Sequence, residues 1–499
     1  MGRLAGGPSV EEGLRGVRRM SYDHDLIVIG GGAGGLVASK FAAGVGKKVA
    51  LIEKGKLGGE CTLSGCIPSK TLIKSAKMLH QMSRLQATGL TLKGPCTVST
   101  EGVMEHVRSV IEDVARGHGP ERLEGLGIKV IFGEPRFIDN HRVRVNGRTV
   151  SARNFVLCTG SSPFVPPIEG IDAVPYLTNQ DLFSLNDLPR SMIVLGAGPI
   201  GVEIAQALAY LGVAVTVVEQ AEQLLVREDG DLAELLASRL SGEGVDLRMK
   251  TRAVRLEERA GSVALTVEER PGKQDVLVAS AILVAVGRKA NVDGLGLEAA
   301  GVSHSTKSIT TDGRLRTTQG NIYACGDVTG PYQFSHMAEY QARIATRNAL
   351  FPLKTTADYR HYAWCTFTDP EFAHAGLTEG EARQAFGEKI KVFKWYYGDT
   401  DRARTETEPF GMGKFVCDGS YRLLGAHILG QGAGDLIHEA QIIKTLGIPF
   451  PKLDSIIHVY PTLSDVVRQP AKMSRIDRLR GNLFVRALGS LLSRRSGSS

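Results

Sequence analysis

Asp25-Leu26-Ile27-Val28-Ile29-Gly30-Gly31-Gly32-Ala33-Gly34-Gly35 decides the fold: an apolar run, a glycine turn and the start of a small-residue helix. Lys48-Val49-Ala50-Leu51-Ile52-Glu53 follows, so the order is strand, glycine turn, helix, strand, acid. Gly30 permits the tight turn, Gly32 lets the backbone approach a pyrophosphate, and Gly35 lets the helix pack closely on the strand. The pyrophosphate is expected on the helix N-terminus, where unpaired N–H groups and the dipole favour an anion. Glu53 lies 23 residues beyond Gly30.

The same unit recurs. Met192-Ile193-Val194-Leu195 leads into Gly196-Ala197-Gly198-Pro199-Ile200-Gly201, a helix through Leu211, and Ala214-Val215-Thr216-Val217-Val218-Glu219. Gly196 and Glu219 are again 23 residues apart. Two dinucleotide folds in one chain imply two dinucleotides, with a hydride passing between them. Glu219, at the end of its strand, should accept hydrogen bonds from ribose hydroxyls and repel a 2′-phosphate, which favours NADH over NADPH.

Between the two units lies Gly58-Gly59-Glu60-Cys61-Thr62-Leu63-Ser64-Gly65-Cys66-Ile67-Pro68-Ser69-Lys70. Pro68 suits the first turn of a helix over Lys70 to Met82, because its missing N–H would be unsatisfied there anyway. Cys66 is therefore expected near a helix N-terminus, where partial positive charge and a nearby lysine stabilise a thiolate. Spacing alone leaves a structural disulfide or two unlinked thiols open. The glycine signature just upstream tips the reading toward a redox-active pair.

At 499 residues the chain accommodates about three domains of ordinary size. Its 42% hydrophobic and 23% charged content indicates a globular protein with real cores. The 59 glycines suggest several sites of tight turning or close backbone approach. Seven cysteines, without an apolar signal segment, fit a reducing compartment. No apolar run is long enough to span a membrane. The net charge of +7 gathers at the two ends of the chain, so nucleic acid is not an expected partner. Met1 to Arg19 is Gly- and Arg-rich and aperiodic, reads as a disordered extension, and leaves Met20 as an alternative start.

With these pieces in order, the chain from Tyr22 to about Lys472 resembles the class I pyridine nucleotide-disulfide oxidoreductases, the family of dihydrolipoamide dehydrogenase, glutathione reductase and mercuric reductase. Leu157-Cys158-Thr159-Gly160-Ser161-Ser162-Pro163 resembles the crossover that closes the flavin domain, and Val284-Ala285-Val286-Gly287-Arg288 the return crossing. Asn321-Ile322-Tyr323-Ala324-Cys325-Gly326-Asp327 resembles the segment whose aspartate binds the flavin ribityl chain. The resemblance implies an α/β fold of two Rossmann-like domains, for FAD and NAD, plus an α+β C-terminal dimerisation domain. The expected boundaries are a disordered extension over 1–21, an FAD domain over 22–165 and 286–355, an NAD domain over 166–285, an interface domain over 356–472, and a tail over 473–499.

It further implies FAD on Gly30, Gly32, Gly35, Glu53 and Asp327, NADH on Gly196, Gly198, Gly201 and Glu219, and cofactor-binding roles for Thr159, Gly160 and Gly287 of the crossings. Cys66 becomes the thiol nearest the flavin and Cys61 the one that exchanges with substrate. Lys70 and Glu203 become an ion pair at the flavin N5 edge, where a cation favours negative charge on the reduced ring. Electrons then run from NADH through FAD to Cys61–Cys66 and on to a disulfide, a dihydrolipoyl group or a thiol-bound metal ion. A homodimer is expected, with the C-terminal residues acting in trans.

Those residues depart from the family pattern. In Ile456-Ile457-His458-Val459-Tyr460-Pro461-Thr462-Leu463-Ser464-Asp465, Tyr460 takes the place of the catalytic histidine and Asp465 that of its glutamate. A phenol with pKa near 10 is a poor base beside an imidazole near 6.5, which weakens lipoamide and glutathione as substrates. His458, two residues earlier, would share a side with Tyr460 in an extended segment and is a candidate replacement base; packing is its plainer role. Mercuric reductases share a tyrosine near that position, but the cysteine pair they carry at the extreme C-terminus is missing, the last cysteine being Cys417.

Beyond Arg475, apolar Ile476, Leu479, Leu483, Phe484, Ala487, Leu488, Leu491 and Leu492 repeat at helical spacing opposite several arginines. This basic amphipathic stretch, over 475–495, suits either the chain's own surface or peripheral contact with an anionic membrane. The expected location is cytoplasmic, with the inner face of a membrane as its variant. Rival readings are a membrane-surface NADH:quinone-type dehydrogenase and a flavin-binding redox sensor.

Overall fold

The computed structural model describes residues 21–91, 94 and 97–482. All but Ser21 of the expected extension, and the tail beyond Asn482, lie outside them. The chain forms two compact units. The first takes the residues up to Leu57, Pro120–Gly160 and Ala290–Thr356; the second takes Gly58–Gly119, Ser161–Lys289 and the residues from Ala357 onward.

In the first unit the sheet order is Ile128–Phe132, Val49–Glu53, His24–Ile29, Arg148–Leu157, Arg142–Val145, Arg136–Asp139, with Ile322–Ala324 also on Arg148–Leu157. His24–Ile29 runs parallel to both neighbours. Its unbroken Leu26-Ile27-Val28-Ile29 run is at most 2% exposed, as a strand covered on both faces requires. Each such side chain contributes about 1.5–3 kcal/mol of burial. The helices Ala33–Gly44 and Ser335–Leu350 pack on one another.

In the second unit four parallel strands run in the order Asp246–Arg248, Ala214–Val218, Ser191–Leu195, Ala281–Val284. Val194, Val217 and Leu283 share a core with Val202 and Leu208 of the helix Pro199–Tyr210 and with Leu72 and Ala76 of the helix Cys66–Ser83. That shared core fixes the cysteine helix against the second glycine unit. A three-stranded antiparallel sheet, Arg252–Arg259, Ser262–Arg270, Lys273–Ala279, follows. The C-terminal part is a five-stranded antiparallel sheet ordered Ala363–Thr366, Glu371–Gly376, Leu423–Gly430, Met412–Cys417, Lys391–Tyr396. The helix Asp465–Gly481 ends just before the last described residue; its Ile476 and Leu479 are 41% and 47% exposed, and the remaining apolar positions of the expected amphipathic stretch lie outside the described residues. Among the described residues no helix is long and apolar enough to cross a membrane.

Candidate functional site

The two glycine turns are duplicates at atomic detail. Gly30 and Gly196 adopt φ of 101° and 100°. A Cβ on Gly35 would lie 1.7 Å from the Gly30 carbonyl oxygen, and one on Gly201 would lie 1.9 Å from that of Gly196. Gly32 and Gly198 are the extended N-caps of their helices, and neither helix has a side-chain cap. Uncapped N–H groups at a helix start are what a pyrophosphate takes up, so both turns fit a dinucleotide. A Cβ on Gly198 would meet nothing within 4 Å, which is open space for such an anion.

The two acids repeat as well. Glu53 accepts from the N–H of Gly31 at 2.6 Å and of Gly55 at 2.7 Å; Glu219 accepts from Ala197 at 2.8 Å and Ala221 at 2.9 Å. Each carboxylate is therefore anchored to its turn before any ribose arrives, with lone pairs to spare. In the first unit the two crossings are zipped together. Thr159 Oγ1 donates to the Asn291 carbonyl at 2.7 Å, Asn291 Nδ2 donates to the Thr159 carbonyl at 2.9 Å, and the Asn291 N–H donates to Gly160 at 3.0 Å. Asp327 opens the short 3₁₀ turn Asp327–Thr329 after Gly326, whose N–H donates to Gln341 at 2.7 Å. In the second unit the Gly287 carbonyl accepts the Phe164 N–H at 2.9 Å.

Cys61 sits in the one-turn helix Gly59–Leu63, and Cys66 is the first residue of the helix Cys66–Ser83. The helix thus begins four residues earlier than the expected Lys70, which brings the thiol onto the N-terminus itself. Glycine makes this tight pair of helices feasible. Gly58 has φ of 102° with Thr62 Cβ 2.9 Å from where its own Cβ would be, and a Cβ on Gly65 would lie 2.9 Å from the Glu60 carbonyl.

Three residues that the sequence did not single out hold this loop. Glu60, the neighbour of Cys61, accepts both guanidinium arms of Arg288, one of them at 2.7 Å, and the Asn179 amide at 2.5 Å. Asn179 also donates to the Ser64 carbonyl at 3.0 Å, and Arg288 Nε to Ser161 Oγ at 2.7 Å. A bidentate arginine–carboxylate pair fixes orientation as well as charge. The available signal was adjacency: Glu60 precedes Cys61 and Arg288 follows Gly287.

Lys70 and Glu203 meet as expected, at 2.8 Å. They stand on the two helices that share the second unit's core. Glu203 Oε1 also accepts the Phe367 N–H at 2.8 Å, and Lys70 Nζ lies 4.6 Å from the centre of the Phe367 ring. Glu203 is almost fully buried and Lys70 about one third exposed, so the lysine keeps an open side for a ligand.

The C-terminal candidates are held apart by different partners. Tyr460 is 67% exposed and donates its phenol to Asp401 at 2.8 Å, a bond that raises its pKa above the ordinary tyrosine value. His458 is pinned between the Ile456 carbonyl at 2.9 Å and Glu439 at 2.5 Å. Asp465 starts the last helix and accepts Arg468 Nε at 2.8 Å. His458 thus has both ring nitrogens engaged by its own chain, in keeping with the packing role.

Comparison with known proteins gives one consistent result. The model of the pyridine nucleotide-disulphide oxidoreductase matches residues 24–342, and that of the family's dimerisation domain matches 362–471. The chain is 32% identical to a mercuric reductase of Staphylococcus aureus over 452 residues, covering 90% of this chain and 82% of that one. It is 31% identical to a dihydrolipoyl dehydrogenase of Bacillus subtilis over 450 residues, covering 89% and 97%. The solved structure of RclA from Escherichia coli, described as an HOCl-induced flavoprotein disulfide reductase, is similar with a TM-score of 0.80 at 29% identity, covering 90% of this chain and 99% of that one.

Proposed function

The chain belongs to the pyridine nucleotide-disulphide oxidoreductase family, and we propose that it takes electrons from NADH and delivers them through Cys61 and Cys66 to a metal ion or disulfide acceptor. It is an oxidoreductase of a family that uses FAD and a pyridine nucleotide. FAD, when bound, supplies the two-electron link between the nucleotide and sulfur. The observation that carries the proposal is the seat of Cys66 on the first residue of its helix, with Glu60 beside Cys61 clamped by Arg288 and Asn179. A helix N-terminus favours the thiolate, and a clamped loop keeps both sulfurs in one geometry through repeated opening and closing. As the S–S bond opens the pair gains two electrons and two protons; as it re-forms the electrons pass to the acceptor, and the protons go with them to a disulfide or are released to solvent when the acceptor is a metal ion.

The acceptor follows from the C-terminal residues. Tyr460 keeps its proton on Asp401 and is a poor base, so a substrate that needs deprotonation there is disfavoured. This supports a soft metal ion over dihydrolipoamide. The likeness to mercuric reductases, and to RclA, which has been solved as a Cu(II) complex, points the same way. Glu219 supports NADH over NADPH, since an acid at the end of this strand would accept from ribose hydroxyls and repel a 2′-phosphate. The dimerisation-domain match and the exposed run Ile456, Ile457, Val459 and Tyr460 support a homodimer.

The test is turnover of the FAD-loaded enzyme with NADH against mercuric ion, cupric ion, glutathione disulfide, lipoamide and a quinone. Cys61→Ser should take the preferred rate to background while FAD stays bound. A quinone rate that survives Cys61→Ser would overturn the proposal.

A further inference from the structure

We propose that Glu228, His374 and His427 form a buried site for a divalent transition-metal cation, Zn²⁺ being the chemical type, separate from the cysteine pair. His374 and His427 are directly opposed on the neighbouring strands Glu371–Gly376 and Leu423–Gly430, with Trp364 opposite His374 on the next strand. Opposed residues project from the same face of a sheet. Glu228 reaches that face from the segment just before the helix Gly230–Gly242. All three are buried, His427 completely.

The hydrogen bonds set the tautomers. His374 Nε2 donates to the Gly376 carbonyl at 2.7 Å and His427 Nε2 to the Leu377 carbonyl at 2.9 Å. Carbonyl oxygens only accept, so each Nε2 carries a proton, and in the neutral rings both Nδ1 atoms offer a lone pair to a metal. Fixing the remote ring nitrogen on a backbone carbonyl is how metal-ligating histidines are oriented. Glu228 Oε1 accepts the Trp364 indole N–H at 2.5 Å, while Oε2 lies 2.7 Å from His374 Nδ1. That last contact is proton-bridged as it stands, and a metal ion would take the proton's place, the two atoms parting to roughly 3.3 Å around it. Among the described residues His427 Nδ1 is buried with no hydrogen-bond partner, a costly state for a polar atom. The three donor atoms lie within 4.8 Å of one another. Two imidazoles, one carboxylate and an open position form a donor set that zinc accepts.

The surroundings suit a cation. The adjoining lysine is already neutralised: Lys414 Nζ lies 2.8 Å from Glu379, 3.0 Å from Asp231 and 3.4 Å from Asp229. Trp364 stacks on His374 with ring centres 3.7 Å apart, and Arg227 lies 5.4 Å from the Trp364 ring. A metal here would pin the segment before the helix Gly230–Gly242 to the C-terminal sheet.

The test uses full-length FAD-loaded protein carrying Cys61→Ser and Cys66→Ser, so that those thiols contribute no ligand. It is stripped with a chelator, incubated with Zn²⁺, dialysed, and its metal counted by mass spectrometry. About one Zn²⁺ per chain is expected, and His427→Asn or Glu228→Gln should each lower retention roughly tenfold or more. His304→Asn, a change elsewhere in the chain, should retain the full amount. Co²⁺ in place of Zn²⁺ should give visible d–d absorption without a thiolate charge-transfer band. If His427→Asn does not fold, Glu228→Gln, which preserves shape, decides the matter. No retained metal in the parent, or undiminished retention in Glu228→Gln, overturns the assignment and leaves a proton as the bridge.

Discussion

Lys70 and Glu203 lie 133 positions apart, yet the family resemblance named them as partners, and they meet at 2.8 Å. What it did not reveal is the Phe367 N–H on the other carboxylate oxygen, because Phe367 enters from a third segment. Removing the cation should leave Glu203 buried with that one donor. Lys70→Met is expected to cost about 1 kcal/mol, the lysine's partial exposure moderating the loss, read as a lower urea midpoint. Tyr460 offers a second test at this scale. Its bond to Asp401 raises the phenol's pKa, so the proton stays on through neutral and mildly alkaline pH and is lost only above the ordinary value near 10. Tyr460→Phe should therefore leave the shape of the rate profile between about pH 6 and 9 unchanged. A limb that disappears in the variant would show that the phenol titrates in that range.

The glycine turns show what an element encodes locally. Their positive φ, uncapped helix starts and terminal acids follow from short-range pattern, which is why both copies were legible from residue order alone. The structure separates two roles within each copy. Gly201→Ala forces a Cβ to 1.9 Å from the Gly196 carbonyl, so it should destabilise the second unit by about 1–3 kcal/mol. Gly198→Ala meets no protein atom and should leave stability within about 0.5 kcal/mol. It should still raise the KM for NADH, because the methyl occupies the space that the anion needs. Thermal melts together with KM values check the pair, and a destabilised Gly198→Ala would contradict the division of roles. The cluster of Glu228, His374 and His427 was not legible. Each residue is unremarkable in its own segment, and only the register of two strands and the approach of a distant loop bring them together.

At the scale of the whole molecule, the class of fold could be read in advance because it rests on motif order along the chain. The clamp of Arg288 and Asn179 on Glu60 could not, since it joins segments more than a hundred residues apart. The departure at Tyr460 was legible as a substitution, while its consequence, a phenol bonded to Asp401 and a histidine turned onto Glu439, needed the structure. The proposed function requires that Cys61 and Cys66 receive the electrons of NADH. Anaerobic addition of stoichiometric NADH to the oxidised, FAD-loaded enzyme, followed by alkylation and peptide mass spectrometry, tests it most directly. Cys61 and Cys66 should pass together from protected to labelled. If the flavin is reduced while both cysteines stay protected, the sulfur pair lies outside the electron path and the account fails.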